Sequence, residues 1–242
     1  MEQEQAQTQP LEAQREEQPQ EAKAEKKSNA AGILRAHLTA PRLAYMALFT
    51  ALAYVVTFLE FPIFPATPYL KFEFSNVFFL FEGFIFGPIE AIISIVLKEC
   101  LCLADSGTGG VGELANFIMS TAYILVPAIG YRFLKGRKWV TVFLVVACAV
   151  QISASMLVNR YINFPFFGAL GAFGTLSAGE AFHAVWYFVL GFNAIKSVAI
   201  SVIVFLLYKP LSRFIKMTSE KFAKSMANAK KRRKEAREQK EE

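Results

Sequence analysis

Two pairs of polar residues interrupt apolar stretches of this chain at a spacing that would form a binding surface. Asn193 and Lys196 lie within one apolar run, and Glu113 and Asn116 open another. On a helix, a three-residue spacing places both side chains on one face, about 4.5 Å apart along the axis. A charge at bilayer depth costs roughly 2.5–3.5 kcal/mol and is usually retained for function. We therefore expect these pairs to face the interior of a helix bundle and to bind a polar ligand.

Asn159 adds a further amide near the end of another apolar stretch, where it is followed by Arg160 and the bend-prone segment NFPFF. A cavity lined by Asn, Lys and Glu among many Phe and Tyr residues suits a flat aromatic ligand with a polar edge. The alternative is that these polar groups only pair with one another, for example Lys196 with Glu113.

The elements that must position these residues are membrane helices. The chain has 242 residues, of which 54% are hydrophobic and 24 are Phe. About 20 apolar residues span a bilayer as a helix. The stretches long enough to do so are Leu43–Glu60, Leu114–Tyr131, Trp139–Ile162 and His183–Tyr208.

A fifth stretch, Phe74–Ala104, is too long for one span and is broken by Gly87 and Pro88, so we interpret it as two short spans. The basic residues support this count. Of 26 Lys and Arg, 22 fall in residues 1–42, 131–138 and 209–242. All three blocks should face the cytoplasm. The predicted fold is therefore an all-α bundle of six transmembrane helices with both termini cytoplasmic.

This topology predicts three regions. Residues 1–35 form a polar cytoplasmic head, which we expect to be disordered because it is rich in Gln, Glu, Ala and Lys. Residues 40–208 form the membrane domain. Residues 209–242 form a basic cytoplasmic tail, either solvated or lying as a helix on anionic lipid.

Four basic residues fall outside the three blocks: Lys71, Lys98, Arg160 and Lys196. We assign Lys196 to the ligand and Arg160 to a place beside Asn159. Lys71 lies in the outer loop before the second span. For Lys98 we expect pairing with Glu99 or Asp105 near the outer surface.

Several motifs do not indicate chemistry. The segment GTGGVG at 107–112 matches a dinucleotide-binding pattern, but a predicted membrane helix precedes it and Arg132 stands where an acidic residue is needed. No Walker A motif occurs, so uphill transport would need a partner's ATPase. Carboxylates lie scattered toward span ends, where we expect water to reach most of them. We predict no catalytic residues, no metal site and no nucleic acid partner.

The first span carries small residues that would let another helix approach closely. Ala40, Ala44, Ala47 and Ala51 include two small-xxx-small pairs. This face would serve docking of a partner, or equally packing within the bundle.

These segments resemble a known family. The runs PYLKFEFSNVFFLFEGFIFGPIEAIISIVLKE, SGTGGVGELANF, VNRYINFPFF and GFNAIK are similar to the riboflavin-specific S component of energy-coupling factor (ECF) transporters. The resemblance covers roughly residues 40–208. It departs at Asn76, Glu82 and Arg160, and Arg160 beside a ligand-binding Asn could alter the flavin preference, for instance toward a phosphorylated form.

The resemblance implies a membrane subunit that captures riboflavin from outside the cell, with no cofactor and no ATPase of its own. Its partners would be a transmembrane T subunit and two cytoplasmic ATPase subunits, and its location the cell membrane. Asn159, Asn193 and Lys196 would bind the flavin, with Glu113 and Asn116 as further contacts. Ala47 and Ala51 would contact the T subunit, and the 61–73 loop would act as a gate.

Two other functions stay open at this point. One is an S component for another vitamin, such as a pterin or pyridoxine. The other is a standalone secondary transporter with Lys196 and Glu113 as a relay, although no inverted repeat is visible between the two halves. A membrane enzyme is weaker still.

Overall fold

The computed structural model describes residues 39–65, 67 and 70–241. At 226, 229, 230 and 232–241 it describes the backbone only. The predicted disordered head lies outside the described residues. The chain divides at Arg42 into two units, and the second, Leu43–Glu242, holds the buried apolar clusters and the cavity described below.

The described chain is mostly helical, as predicted. The helices are α1 (Ala40–Thr57), α2 (Ser75–Ile85), α3 (Pro88–Cys102), α4 (Val111–Phe133), α5 (Arg137–Val158), α6 (Phe164–Ala169) and α7 (Ala178–Glu241). A 3₁₀ turn at Leu103–Asp105 follows α3, and a π-helical turn at Asn159–Asn163 joins α5 to α6. Two short strands, β1 (Phe61–Pro62) and β2 (Lys71–Phe72), pair antiparallel between α1 and α2.

Four helical segments are long and apolar enough to cross a membrane. They are Ala40–Thr57, Val111–Phe133, Arg137–Ala169 and Ala178–Ser225. Helix α2 is a shorter apolar helix. Large apolar side chains point outward along these segments, including Val55, Val145 and Leu206, each about three-fifths exposed. A soluble protein rarely exposes so much apolar surface, so these faces are suited to lipid.

The predicted helix break at Gly87 and Pro88 is confirmed. Gly87 has φ +115°, a conformation open mainly to glycine, and Pro88 begins α3 where its missing N–H costs nothing. The turn lets α2 and α3 run as two separate short helices.

Helix α7 is longer at both ends than the last predicted span, His183–Tyr208. It already begins at Ala178, where Ser177 and Glu180 form a capping box, and α6 precedes it. Helix α7 also continues past Tyr208 to Glu241. The extension packs through Ile215 and Phe222, which are buried, and Phe222 contacts the rings of Tyr45 and Phe86. The packing of these buried residues therefore stabilises the helix beyond the predicted span, which ends at Tyr208.

The bundle has two buried apolar clusters. The larger includes Phe79, Ile95, Tyr123 and Ile200, from α2, α3, α4 and α7. The smaller joins Leu70 and Phe72 of the β1–β2 loop to Phe164, Phe182 and Phe192. The polar residues considered next lie beside this smaller cluster.

Candidate ligand-binding site

The five residues predicted to bind a ligand all line one cavity of about 670 Å³. They are Glu113, Asn116, Asn159, Asn193 and Lys196. They come from α4, from the π-helical turn and from α7, so the fold brings together residues up to 83 positions apart in the numbering. The volume is within the usual range for small-molecule sites.

A buried chain of charges runs along the cavity wall. The Lys196 ammonium donates to Glu73 Oε1 at 3.2 Å, and the Lys98 ammonium lies 3.7 Å from Glu73 Oε2. Lys98 also donates to Glu99 Oε1 at 3.1 Å, which accepts a second hydrogen bond from Asn116 Nδ2 at 2.9 Å. One connected network thus joins α7, the residue after β2, α3 and α4.

All four charged side chains of this network are nearly inaccessible to solvent. Glu73 is 3% exposed, Lys98 1%, Glu99 6% and Lys196 5%. The formal charges of the two carboxylates and two ammonium groups cancel. A buried cluster requires this balance, because an unpaired buried charge is very costly.

Glu73 lies in the loop before α2, and its charge state follows from its neighbours. Burial by itself raises its pKa, but the positive charges of Lys196 and Lys98 outweigh burial and lower the pKa to about 2. Glu73 is therefore ionised at neutral pH and stays so until the solution is strongly acidic.

The asparagine at the π-helical turn belongs to a directional hydrogen-bond chain. Asn159 Nδ2 donates to the Ser155 carbonyl at 2.8 Å, and Asn159 Oδ1 accepts from Asn163 Nδ2 at 3.1 Å. Because a carbonyl can only accept, the orientation of both amides is fixed. Both asparagines are buried and line the cavity. A π-turn commonly marks a functional site in a helix, and here it places two amides one turn apart.

Asn193 is oriented in a similar way. Its Nδ2 donates to the Val189 carbonyl at 2.9 Å within α7, which leaves its Oδ1 as the acceptor of the pair. Lys196, one turn further along, supplies donors. The predicted combination of acceptor and donor on one helix face is therefore present.

The outer loop covers one side of the cavity, which Glu60, Leu70 and Lys71 help to line. Phe72 is buried between the rings of Phe74 and Phe192, at centroid distances of 4.9 and 6.5 Å. The aromatic and apolar part of the lining comes from Tyr54, Phe58, Leu70, Met119 and Phe192. Polar groups and flat apolar surface thus meet in one cavity.

The loop at 107–112, with the sequence GTGGVG, lines another side of the cavity and is hydrogen-bonded to the start of α4. Ser106 Oγ accepts from the N–H groups of Thr108 and Gly110 at 3.2 and 3.1 Å. Thr108 Oγ1 donates to Glu113 Oε2 at 3.0 Å. A helix and a 3₁₀ turn precede this loop, so the strand that a dinucleotide-binding loop needs is not in place here.

Comparison with known proteins identifies the family. The family model for the substrate-specific component of ECF transporters matches residues 41–208. This chain is an ECF transporter S component. It is 30% identical over 175 residues to the riboflavin transporter RibU of Staphylococcus aureus, with 72% of this chain and 92% of the relative covered. It is also 30% identical over 178 residues to the riboflavin transporter FmnP of Bacillus subtilis, with 72% and 93% covered.

A solved structure described as "Structure and mechanism of the S component of a bacterial ECF transporter" has the same fold. It superposes on this S component with a TM-score of 0.62 at 30% identity, and the match covers 73% of this chain and 98% of that chain. Since the family match ends at residue 208, it leaves out the extension of α7.

The structure revises one alternative pairing and one expectation about charge in this S component. Lys196 pairs with Glu73 and not with Glu113, because the loop after β2 reaches the middle of α7. Carboxylates are not mostly accessible: Glu73, Glu82, Glu90 and Glu99 are all buried. Glu82 accepts from Ser94 Oγ at 2.6 Å across the α2–α3 turn, which the sequence did not reveal.

The four isolated basic residues are now placed. Lys98 pairs with Glu99 as expected, but it is buried and also faces Glu73. Lys71 forms an ion pair with Glu60, and its side chain is half exposed. Arg160 is not among the residues that line the cavity; its guanidinium lies 5.9 Å from the centre of the Phe182 ring.

Sequence reasoning missed several residues of the cavity wall. They are Glu73, Lys98, Glu99, Gln151 and Asn163. Lys98 was flagged as a charge in an apolar stretch, and that signal pointed to the network. Asn163 is four residues from Asn159, a spacing that also places it on the same helix face.

Proposed function

We propose that this S component captures riboflavin from outside the cell for ATP-driven uptake. Both curated relatives described above carry riboflavin transporter in their names. The observation that carries the proposal in this chain is that Asn159, Asn193 and Lys196 line one cavity together with aromatic side chains.

The cavity chemistry fits a flavin. The isoalloxazine ring is flat, and its imide edge alternates carbonyl oxygens with an N–H group. Lys196 can donate to a carbonyl, while the oxygen of Asn193 can accept from the N–H. Glu113 and Asn116 line the same cavity from α4 and would contact the ligand's hydroxyl groups. The aromatic and apolar lining would pack against the ring.

The proposed topology is a bundle of six transmembrane helices, α1 to α5 and the first part of α7, in the cell membrane with both termini cytoplasmic. The distribution of Lys and Arg supports this orientation. The short α2 and α3 would cross as a pair. Helix α3 exposes an apolar face that includes Val96 and Leu97, whereas its polar residues Glu90, Lys98 and Glu99 are buried and need not meet hydrocarbon.

The proposed partners are a transmembrane T subunit and two ATPase subunits. Ala47 and Ala51 are both exposed on α1. Large exposed neighbours on this helix, such as Leu48 and Leu52, would pack around a partner helix that approaches the two alanines. This face is the proposed docking site for the T subunit.

The test is uptake of labelled riboflavin in cells that lack their own riboflavin transporter. The chain should support uptake only when T and ATPase subunits are co-expressed and the ATPase is active. Ile195→Ala, a change on the exposed side of α7 next to Lys196, is the matched control and should transport normally. Uptake that persists without the ATPase and follows a proton gradient would instead support a standalone transporter.

Competition separates riboflavin from other vitamins. Unlabelled riboflavin should block uptake, whereas pterin and pyridoxine should not. If either of those competes better than riboflavin, the chain is an S component for another vitamin.

A further inference from the structure

The loop over the cavity is attached to the bundle through one buried carboxylate. Glu73 follows β2 directly and ends the loop, and its two oxygens face Lys196 on α7 and Lys98 on α3. Glu73 is 3% exposed. A single side chain therefore links the loop to two different helices.

The other ion pair of this loop does not perform that task. Lys71, the first residue of β2, pairs with Glu60, which directly precedes β1, so this pair joins the two ends of the same hairpin. Their side chains are 51% and 32% exposed. An exposed pair of this kind contributes little to stability. The polar attachment of the loop thus depends on Glu73, beside the apolar packing of Phe64, Leu70 and Phe72.

The Lys196 ammonium group can contact both Glu73 and a bound ligand. Its ammonium group carries three donors, and Glu73 Oε1 takes one of them at 3.2 Å. The remaining donors are available to a ligand, because Lys196 lines the cavity. The group that would contact the ligand is therefore the same group that holds the loop.

We propose that Glu73 is a positioning residue: its ion pairs with Lys196 and Lys98 form a latch that holds the end of the outer loop, residues 70–73, against the cavity and aims the Lys196 ammonium at the ligand. A bound ligand that accepts from Lys196 fixes the ammonium in place and so strengthens the latch. The effect of a bound ligand rests on the proposed function, whereas the latch itself is a property of the ligand-free protein.

Chemical labelling of the loop tests the latch without any ligand. Thr67 lies in the loop and is fully buried, so Thr67→Cys should react slowly with a membrane-impermeant maleimide. Cys100, Cys102 and Cys148 are first changed to Ser so that the full-length chain has one thiol. Glu73→Gln should raise the labelling rate roughly tenfold or more, because a neutral amide cannot compensate the buried Lys196 ammonium and leaves Lys98 with Glu99 alone.

Glu60→Gln is the matched control, since it removes the exposed ion pair of the same loop. It should change the labelling rate by less than about twofold. If Glu73→Gln does not fold, Glu73→Asp keeps the charge but draws it back by one methylene, and should give intermediate labelling. Equal labelling rates in wild type, Glu73→Gln and Glu73→Asp would overturn the latch.

The second arm adds riboflavin. In the wild type the flavin should slow labelling, and in Glu73→Gln it should slow labelling much less and bind more weakly. A wild type that binds flavin without slower labelling would overturn the coupling. A wild type that binds no riboflavin, combined with faster labelling in ligand-free Glu73→Gln, would overturn the proposed function while supporting the latch.

Discussion

Replacing Lys196 by Met tests both of its proposed roles, contact with the ligand and pairing with Glu73. Methionine keeps most of the side-chain length but removes the ammonium. The variant should lose its contact with the ligand, and it should also leave Glu73 with only Lys98, at 3.7 Å. Binding and stability should therefore both fall.

The magnitudes follow from the geometry. Breaking one partner of a buried ion pair costs about 3–5 kcal/mol, and the lower end applies here because Lys98 still compensates Glu73 in part. For a chain of this size, about 3 kcal/mol corresponds to a melting temperature lower by about 6 °C or more. Loss of a charge-assisted hydrogen bond to the ligand, about 1.5–3 kcal/mol, weakens binding by about 10- to 150-fold.

A double variant tests whether the stability loss comes from the stranded carboxylate. Lys196→Met with Glu73→Gln removes both charges, so Lys98 keeps Glu99 as its partner at 3.1 Å. Thermal unfolding in detergent should then recover most of the lost stability, while flavin fluorescence quenching should show that affinity stays low. Wild-type affinity in Lys196→Met would refute the site, and an unchanged melting temperature would refute the buried-pair reasoning.

Further variants test the remaining features. Asn193→Ala should weaken riboflavin binding by about 2- to 13-fold, the value of one neutral hydrogen bond, with little change in melting temperature; equal affinity by titration would contradict this. Gly83→Ala places a methyl group 2.9 Å from the Ala128 side chain, so unfolding should show a loss of about 1–3 kcal/mol. The contribution of Glu73, whose pKa is about 2, is fully present above pH 4.5 and is lost as the pH falls toward 2. The difference in melting temperature between wild type and Glu73→Gln should therefore shrink as the pH falls from 5 to 3, and a difference that stays constant over that range would be evidence against the ion pair. Ala47→Trp should leave riboflavin affinity unchanged but reduce uptake and co-purification of the T subunit; normal uptake would exclude this docking face.

The sequence predicted much of the site because the signals were local. Asn193 and Lys196 share a helix face by spacing alone, and so do Glu113 and Asn116. The break at Gly87 and Pro88 was also visible, because both residues restrict the backbone in ways that can be read without a structure.

The rest depends on contacts between distant parts of the chain. Glu73 and Lys196 are 123 positions apart, and no periodicity connects a loop residue to the middle of a helix. The buried position of Glu82 depends on Ser94, which faces it only because the α2–α3 turn folds the two helices together. The sequence left open whether the tail is solvated or helical, because its many charges dominate the pattern. In the structure Ile215, Thr218 and Phe222 continue a buried helix face at spacings of three and four residues.

The central claim is that this cavity binds riboflavin, and titration of the purified protein tests it most directly. Riboflavin fluorescence should be quenched in a saturable way with one site per chain, and Lys196→Met should shift the curve to higher concentration while Ile195→Ala should not. The absence of quenching at micromolar riboflavin, or identical curves for all three proteins, would contradict the account.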